Sequence, residues 1–260
     1  MSVIDRFRLD GKRAFISGGS RGLGREMALA LAEAGADIVL VARSKDSLGR
    51  TAADIQAIGR KAATICADMT DPNVCQDACE QAISEFGPID ILVNNVGGRR
   101  ENAKIENQST ESWHALFGFN TASCFTCTRI VGMTMLARGK GGRILNVASV
   151  SAWKVMRDMG GRHYETAKAA VVQFTRAAAA DWAPRGVTVN AICPGVFMTE
   201  ANERWARMNP ELLSGLLKQV PMGRFGQPDE IGPLAVYLAC DAARYVTGAM
   251  FVIDGGYSLW

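Results

Sequence analysis

The sequence predicts an α/β fold, a doubly wound parallel sheet of about seven strands with helices on both faces. Three observations predict it. Short apolar runs alternate along the 260 residues with longer segments of helical periodicity, the pattern of successive βα units. The runs are continuously apolar, Ile38-Val-Leu-Val41 being the clearest, as strands covered on both faces require. A glycine-rich turn joins the first run to the first helical segment, where an open sheet of this kind places its anion-binding loop.

Each element has its own warrant. Residues 13–17 predict the first strand and 21–34 a helix that Gly35 closes. Residues 37–42 are the second strand, 45–58 a helix ended by Gly59, and 62–67 the third strand. Asp71-Pro72 supplies an N-cap and a first-turn proline for a helix reaching Phe86. Residues 89–94 are the fourth strand, 110–137 one long helix, and 143–148 the fifth strand. A helix opens at Tyr164 and runs through Ala170, Val171, Phe174 and Ala177 towards Trp182. A sixth strand at 188–192, a helix at 229–240 and a last strand at 250–253 complete the pattern. No repeat, low-complexity segment or Pro/Gly/Ser linker interrupts it, so one domain over 1–260 is the economical reading. Residues 97–109 and 196–220 are irregular and follow strand ends, where such sheets bind ligands. They are the expected substrate walls.

Composition narrows the class. Hydrophobic residues at 48% and charged residues at 21% suit a globular protein. A net charge of +3 gives no field that would gather nucleic acid. No apolar run reaches the ~18 residues of a membrane span, and residues 1–12 are mixed and charged, without the apolar core of a leader. A cytoplasmic protein with no nucleic-acid or membrane partner is expected. Seven scattered cysteines suit a reducing compartment. Cys124 and Cys127 have redox-motif spacing but fall inside a helix, and Cys75 and Cys79 lie a turn apart with no further His or Cys beside them in sequence. Both pairs read as core packing.

The chemistry concentrates in a few motifs. In Ser17-Gly-Gly-Ser-Arg-Gly-Leu-Gly24 the missing side chains of Gly18, Gly22 and Gly24 admit a pyrophosphate to the backbone at a helix N-terminus. A plain tight turn has the same composition; its place between first strand and first helix is what points to a dinucleotide and a Rossmann-like sheet. The second strand ends Val41-Ala42-Arg43-Ser44, with no carboxylate for a ribose 2′-hydroxyl. Arg43 and Arg21 can instead pair with a 2′-phosphate, which selects NADP(H) unless Arg43 is an ordinary loop charge. Asp68, ending the third strand, can accept from an adenine amino group or cap a turn near Asp71. Asn94-Asn-Val-Gly97 ends the fourth strand, where asparagines can lock neighbouring strand ends. Tyr164 and Lys168 stand four residues apart, on one helix face. A phenol titrates near ~10. A neighbouring ammonium favours its phenolate and fits it for proton transfer. The same spacing also describes many solvated helix faces.

Taken together, the glycine turn, Asn94-Asn-Val-Gly97, Asn120, Ser149, Tyr164-xxx-Lys168, Asn190 and Pro194-Gly195-xxx-Thr199 resemble a classical short-chain dehydrogenase/reductase. So do Gly223-Arg-Phe-Gly-Gln-Pro-Asp-Glu230, Val246-Thr-Gly248 and Asp254-Gly-Gly256, and the likeness spans 17–256. The resemblance implies that Tyr164 is the acid in carbonyl reduction and the base in alcohol oxidation. Lys168 would lower its pKa and bind the nicotinamide ribose, Ser149 would bond the substrate oxygen, and Asn120 would hold a water linking Lys168 to solvent. Ser20, Leu23, Met69, Asn95, Gly97 and Val196 would join the glycine turn, Arg43 and Asp68 along the cofactor, with Pro194, Gly195 and Thr199 at the nicotinamide. Ser17 and Val96 stand where the family more often has Thr and Ala. The segment 149–164 is slightly long for the family, and Ser151 competes with Ser149.

The walls 98–102, 153–162 and 196–207 are rich in Arg and amides. A polar or anionic substrate such as a sugar acid, an acyl carrier drawn to Arg138, Lys140 and Arg143, or ordinary surface charge all fit. His163 adjoins Tyr164, but successive helical residues do not share a face, so it is not expected to act. Met198, Trp205, Met208, Leu212 and Leu213 suggest a lid with an apolar underside, or a packed surface helix. Two function classes stand: an NADP(H)-dependent oxidoreductase of a ketone/secondary-alcohol pair, whether 3-oxoacyl-carrier reductase, sugar or polyol dehydrogenase or ketone reductase, and a non-enzymatic NADP-binding sensor or scaffold. The complete Asn120, Ser149, Tyr164 and Lys168 set favours the enzyme. By family analogy, helix faces from Thr110 and Tyr164 and the tail 251–260 imply a homotetramer.

Overall fold

The computed structural model describes residues 2–157 and 159–260; of the expected wall 153–162, Asp158 lies outside the described residues. Seven strands form one parallel sheet in the order β3-β2-β1-β4-β5-β6-β7: β1 Arg13–Ser17, β2 Asp37–Ala42, β3 Ala62–Cys66, β4 Ile91–Asn94, β5 Gly142–Val147, β6 Val187–Pro194 and β7 Met250–Ile253. Side chains alternate across it as strand geometry demands. Ile16, Ile38, Leu40, Ile91 and Val93 enter one core. Phe15, Val39, Val41, Leu92 and Ile144 enter the other. The helices α1 (Gly22–Glu33) and α2 (Lys45–Ala57) cover the first face, where Met27, Leu31, Leu48 and Ile55 are buried. The helix α3 (Pro72–Phe86) covers the second, capped by Asp71, whose carboxylate accepts from Asn73 N–H. The expected doubly wound sheet is present.

Several boundaries move for local reasons. Ile89 and Asp90 precede β4 rather than opening it, because the Asp90 carboxylate takes the Arg13 N–H that would begin the ladder. The long helix is three pieces: α4 (Thr110–Phe117), a π-helical turn over Gly118–Ala122, and α5 (Ser123–Arg138). The helix α6 (Arg162–Trp182) begins two residues before Tyr164, after Gly161 at φ +81°. The irregular segment 196–220 holds α7 (Glu200–Met208) and α8 (Pro210–Leu217). The expected helix 229–240 divides into a 3-10 turn, Pro228–Ile231, and α9 (Gly232–Ala239).

The strand order reverses between β1 and β4, whose last residues Ser17 and Asn94 are register partners. Such a switch point leaves a crevice at the carboxyl ends of the strands. A buried polar chain braces it. Asn94 Nδ2 donates to Thr128 Oγ1 at 2.9 Å and Asn146 Oδ1 at 2.8 Å, and Asn146 Nδ2 donates to Thr175 Oγ1 at 2.9 Å. Asn95 Nδ2 reaches the carbonyls of Ser17 and Gly18, both at 3.2 Å. The asparagines lock the strand ends, as the sequence suggests.

Candidate active site

A cavity of about 910 Å³ opens at the switch point. Its floor at one end is the glycine turn. Gly18 and Gly22 have φ of +68° and +53°, values that disfavour any side chain. Gly24 faces away from the cavity and serves packing: a Cβ there would collide with the Gly18 carbonyl and Asn95 Nδ2. A Cβ on Gly22 would lie 3.4 Å from Thr199 Cγ2, so the first turn and the segment after β6 meet across the crevice. Arg21, Ser20, Leu23 and Val196 line this region.

Beyond the turn lie Arg43, Asp68 and Met69. Arg43 sits 3.8 Å from the Asp68 carboxylate and both are well exposed. Sequence reasoning missed Ser44, Ser47 and Thr70, which line the same end. Ser44 caps α2, its hydroxyl accepting from Ser47 N–H, and a Ser ahead of a helical pattern was the available signal.

The other end gathers the chemical groups. Ser149, Tyr164, Lys168, Gly97, Pro194 and Gly195 all line it. Ser149 Oγ accepts from Ser151 N–H at 3.1 Å. Lys168 is buried and donates from Nζ to Val147 O at 2.8 Å, and burial lowers its pKa to about 8. Asn120 lies behind the wall, in the π-helical turn, where its amide takes Gly98 N–H at 2.9 Å and donates to the carbonyls of Gly98 and Leu116. Gly97 fits between them at φ +153°; a Cβ would stand 2.7 Å from Asn120 Oδ1 and 2.9 Å from Lys168 Nζ.

Burial dominates the electrostatics at Tyr164. Burial pushes the Tyr164 phenol above its ordinary pKa, and the opposing influences are a Ser149 hydrogen bond and the positive field of Arg99. Lys168 Nζ stands 5.9 Å from the Tyr164 ring centre and is committed to Val147 O, whereas Arg99 Cζ is 4.7 Å away. The walls differ from expectation. Arg99 and Arg162 both pair with Glu165, which ties up part of each guanidinium, and Arg99 still lines the cavity. Arg100 stacks on Phe119 at 3.7 Å and still lines the cavity. Arg138 and Arg143 pair with Asp90 and Asp241, removing two members of the expected basic patch.

His163 is buried on another side of α6, with Nδ1 2.9 Å from Gln108 Nε2 and Nε2 3.5 Å from Glu101, in keeping with an inactive neighbour. Trp205, Leu213 and Leu216 face the cavity, but Met208 is exposed at 73%, so the lid's apolar underside is narrower than expected. The cysteines pack. Burial raises Cys124 and Cys193 to about 12, leaving protonated, unreactive thiols. Cys75 and Cys79 are not isolated from other cysteines as their sequence surroundings suggest: Cys127, from α5, is buried in the same core, because α3 and α5 pack side by side. Among the described residues no group of three His, Cys, Asp or Glu side chains is placed to hold a metal.

This geometry has relatives. A family model described as enoyl-(acyl carrier protein) reductase matches residues 18–258. Galactitol 2-dehydrogenase (L-tagatose-forming) of Cereibacter sphaeroides is 41% identical over 254 residues, 98% of each chain. Gluconate 5-dehydrogenase of Gluconobacter oxydans (strain 621H) is 36% identical over 259 residues, 100% of this chain and 99% of that one. The crystal structure of a gluconate 5-dehydrogenase from Burkholderia cenocepacia J2315, in complex with NADP and tartrate, matches with a TM-score of 0.92 at 36% identity, covering 100% of both chains. The chain belongs to the classical short-chain dehydrogenase/reductase family, as an oxidoreductase acting on CH–OH groups.

Proposed function

We propose that the protein is an NADP(H)-dependent oxidoreductase that interconverts a ketone and a secondary alcohol, with Tyr164 as acid and base. One observation carries this reading: Ser149, Tyr164 and Lys168 share a single cavity with the glycine turn. The turn fits a pyrophosphate, because Gly18 and Gly22 hold backbone angles closed to other residues. Arg21 and Arg43 would hold the 2′-phosphate, Asp68 and Met69 the adenine end, and Asn95, Gly97, Val196 and Thr199 the length between. Pro194 and Gly195 would hold the nicotinamide. NADP(H), when bound, supplies or accepts the hydride.

The chain's own residues handle the proton and the oxygen. A buried phenol held above its ordinary pKa is protonated at neutral pH and can donate to a ketone oxygen in reduction. In alcohol oxidation the same oxygen takes the proton back. Ser149 donates to the substrate oxygen and stabilises charge that develops there. Lys168, with a pKa near 8, can pass a proton at neutral pH, and Asn120 holds the Gly98 backbone beside it.

For the substrate we favour a polyol or sugar acid. Arg100, which makes no ion pair among the described residues, gives the cavity polar groups for hydroxyls or a carboxylate together with Asn102, Ser151 and Asn202, and the named relatives act on such compounds by their titles. The acyl-carrier reading loses its basic patch to the Arg138–Asp90 and Arg143–Asp241 pairs. The protein is on this reading a cytoplasmic homotetramer. The test is NADPH and NADH oxidation against keto-sugar acids, keto-sugars, an acetoacetyl thioester, a diketone and a ketosteroid. Turnover with NADPH on keto-sugars or their acids, abolished in Tyr164→Phe with NADPH binding retained, is the expected result. Full turnover by Tyr164→Phe overturns the catalytic assignment, and NADPH binding without turnover on any substrate returns the protein to the sensor class.

A further inference from the structure

We infer that Glu165 is a positioning residue that holds Arg99 against the face of Tyr164, so that a buried ion cluster sets the electrostatics of this tyrosine. The inference rests on the reading of Tyr164 as acid and base.

Glu165 lies inside the Tyr164-xxx-Lys168 motif, where a long carboxylate has no direct part in the proton transfer just described. Its side chain is only 8% exposed and that of Arg99 only 12%. A buried carboxylate persists only when paired and hydrogen-bonded, and Glu165 is saturated. Its Oε1 accepts from Arg99 Nη2 at 3.4 Å, Arg162 Nη1 at 2.8 Å and Met156 N–H at 3.3 Å, and Oε2 accepts from Arg162 at 3.0 Å. Arg99 in turn donates from Nη1 to the Gly160 carbonyl and lays its plane over the Tyr164 ring, 4.7 Å from the centre. One carboxylate thereby ties the segment after β4 and the Met156 backbone to the first turn of α6, all three beside the phenol.

Among the described residues, the charged groups acting on Tyr164 are Arg99 from the segment after β4 and Glu165 and Lys168 from α6; Arg162 pairs with the same Glu165, and the buried Tyr257 of the tail lies in the field of the same Arg99 and Glu165. Arg99 and Glu165 act on the phenol in opposite directions, the guanidinium favouring phenolate and the carboxylate opposing it. That opposition makes the role of Glu165 readable from a sign. If Glu165 is only a nearby negative charge, Glu165→Gln lowers the Tyr164 pKa. If it holds Arg99, the variant releases the guanidinium, and the pKa rises as it does in Arg99→Met.

The experiment is the pH dependence of kcat for alcohol oxidation in the holoenzyme, together with phenolate absorbance titration of the protein without cofactor. Tyr164 is isolated in the titration by subtracting the Tyr164→Phe form of each variant. Arg99→Met leaves Glu165 paired with Arg162, so it keeps the fold if Glu165→Gln does not, and circular-dichroism melts check both. The expected result is a displacement of both readouts to higher pH in each variant and no further displacement in the double variant. At neutral pH kcat falls about two- to thirtyfold, the span of a cation–aromatic contact between exposed and desolvated settings. A displacement to lower pH in Glu165→Gln, or additive effects in the double variant, overturns the inference while Tyr164→Phe stays inactive. An active Tyr164→Phe overturns the functional reading instead.

Discussion

Lys168 is 3% exposed and makes one hydrogen bond among the described residues, to a carbonyl. Burial favours its neutral form, which is why its pKa falls to about 8. The unfolded chain keeps this lysine protonated up to ~10.4. Between the two values the unfolded state binds the extra proton, so stability rises with pH across that window. Below about 8 both states are protonated and the cost of burying the charge is fully present. Lys168→Met should therefore be more stable than the wild type at pH 7, and the difference should shrink by pH 10; urea melts of both proteins at the two pH values check this. Arg43 makes a second prediction. Among the described residues its only ion pair is a 3.8 Å contact with Asp68 in an exposed setting. If it reads the 2′-phosphate, Arg43→Leu loses one charge-assisted bond of about 1.5 kcal/mol, and the NADPH-over-NADH preference in kcat/KM falls roughly tenfold. An unchanged ratio would leave Arg21 as the sole reader. The Tyr164–Lys168 pair was legible because a fixed spacing puts both on one face. The Arg99–Glu165 pair was not, because its partners are 66 residues apart and only the return of the chain through β5 brings them together.

At the scale of elements, apolar runs identified all seven strands, and Asp71 with Pro72 behind it marked where α3 begins. The π-helical turn at Gly118–Ala122 escaped notice, since one residue inserted in a long helix barely disturbs a 3.6-residue pattern. What fixes the insertion is Asn120, whose three bonds to Gly98 and Leu116 need its amide turned inward. The asparagine ladder was half legible. The sequence shows Asn94 and Asn95 at a strand end, while Asn146, Thr128 and Thr175 become their relay only when β4, β5, α5 and α6 pack. Asn146→Ala leaves buried amide and hydroxyl groups short of partners, a loss of about 1–3 kcal/mol, to be read from the urea midpoint. Because the ladder braces the switch point, NADPH affinity measured by fluorescence titration should weaken as well. An equal loss of stability with unchanged affinity would confine Asn146 to packing.

For the whole molecule, two areas of exposed apolar surface stand on regular elements, among others elsewhere on the surface. On α5, Phe125 and Met133 are 52% and 57% exposed, and Phe125 stacks edge-on against Phe174 of α6. A second area runs along β7, at the edge of the sheet, and its tail, where Met250, Val252, Leu259 and Trp260 are exposed. The tail is held in place from outside the strand, by Lys154 donating to the Trp260 carbonyl and standing 4.5 Å over Tyr257. An exposed edge strand with apolar residues is a liability unless another chain or element covers it, and two separate faces are what a dimer of dimers consumes. The proposed homotetramer predicts a scattering mass four times the 27.9 kDa chain. Val252→Lys puts a charge on the edge-strand face alone, so it should leave dimers built on the α5–α6 face, with the far-ultraviolet spectrum unchanged. Met133→Glu should leave the alternative dimer, built on β7 and the tail. A tetramer that survives both substitutions would mean that neither face carries the assembly, and a monomeric wild type would mean that the family's quaternary arrangement does not extend to this chain.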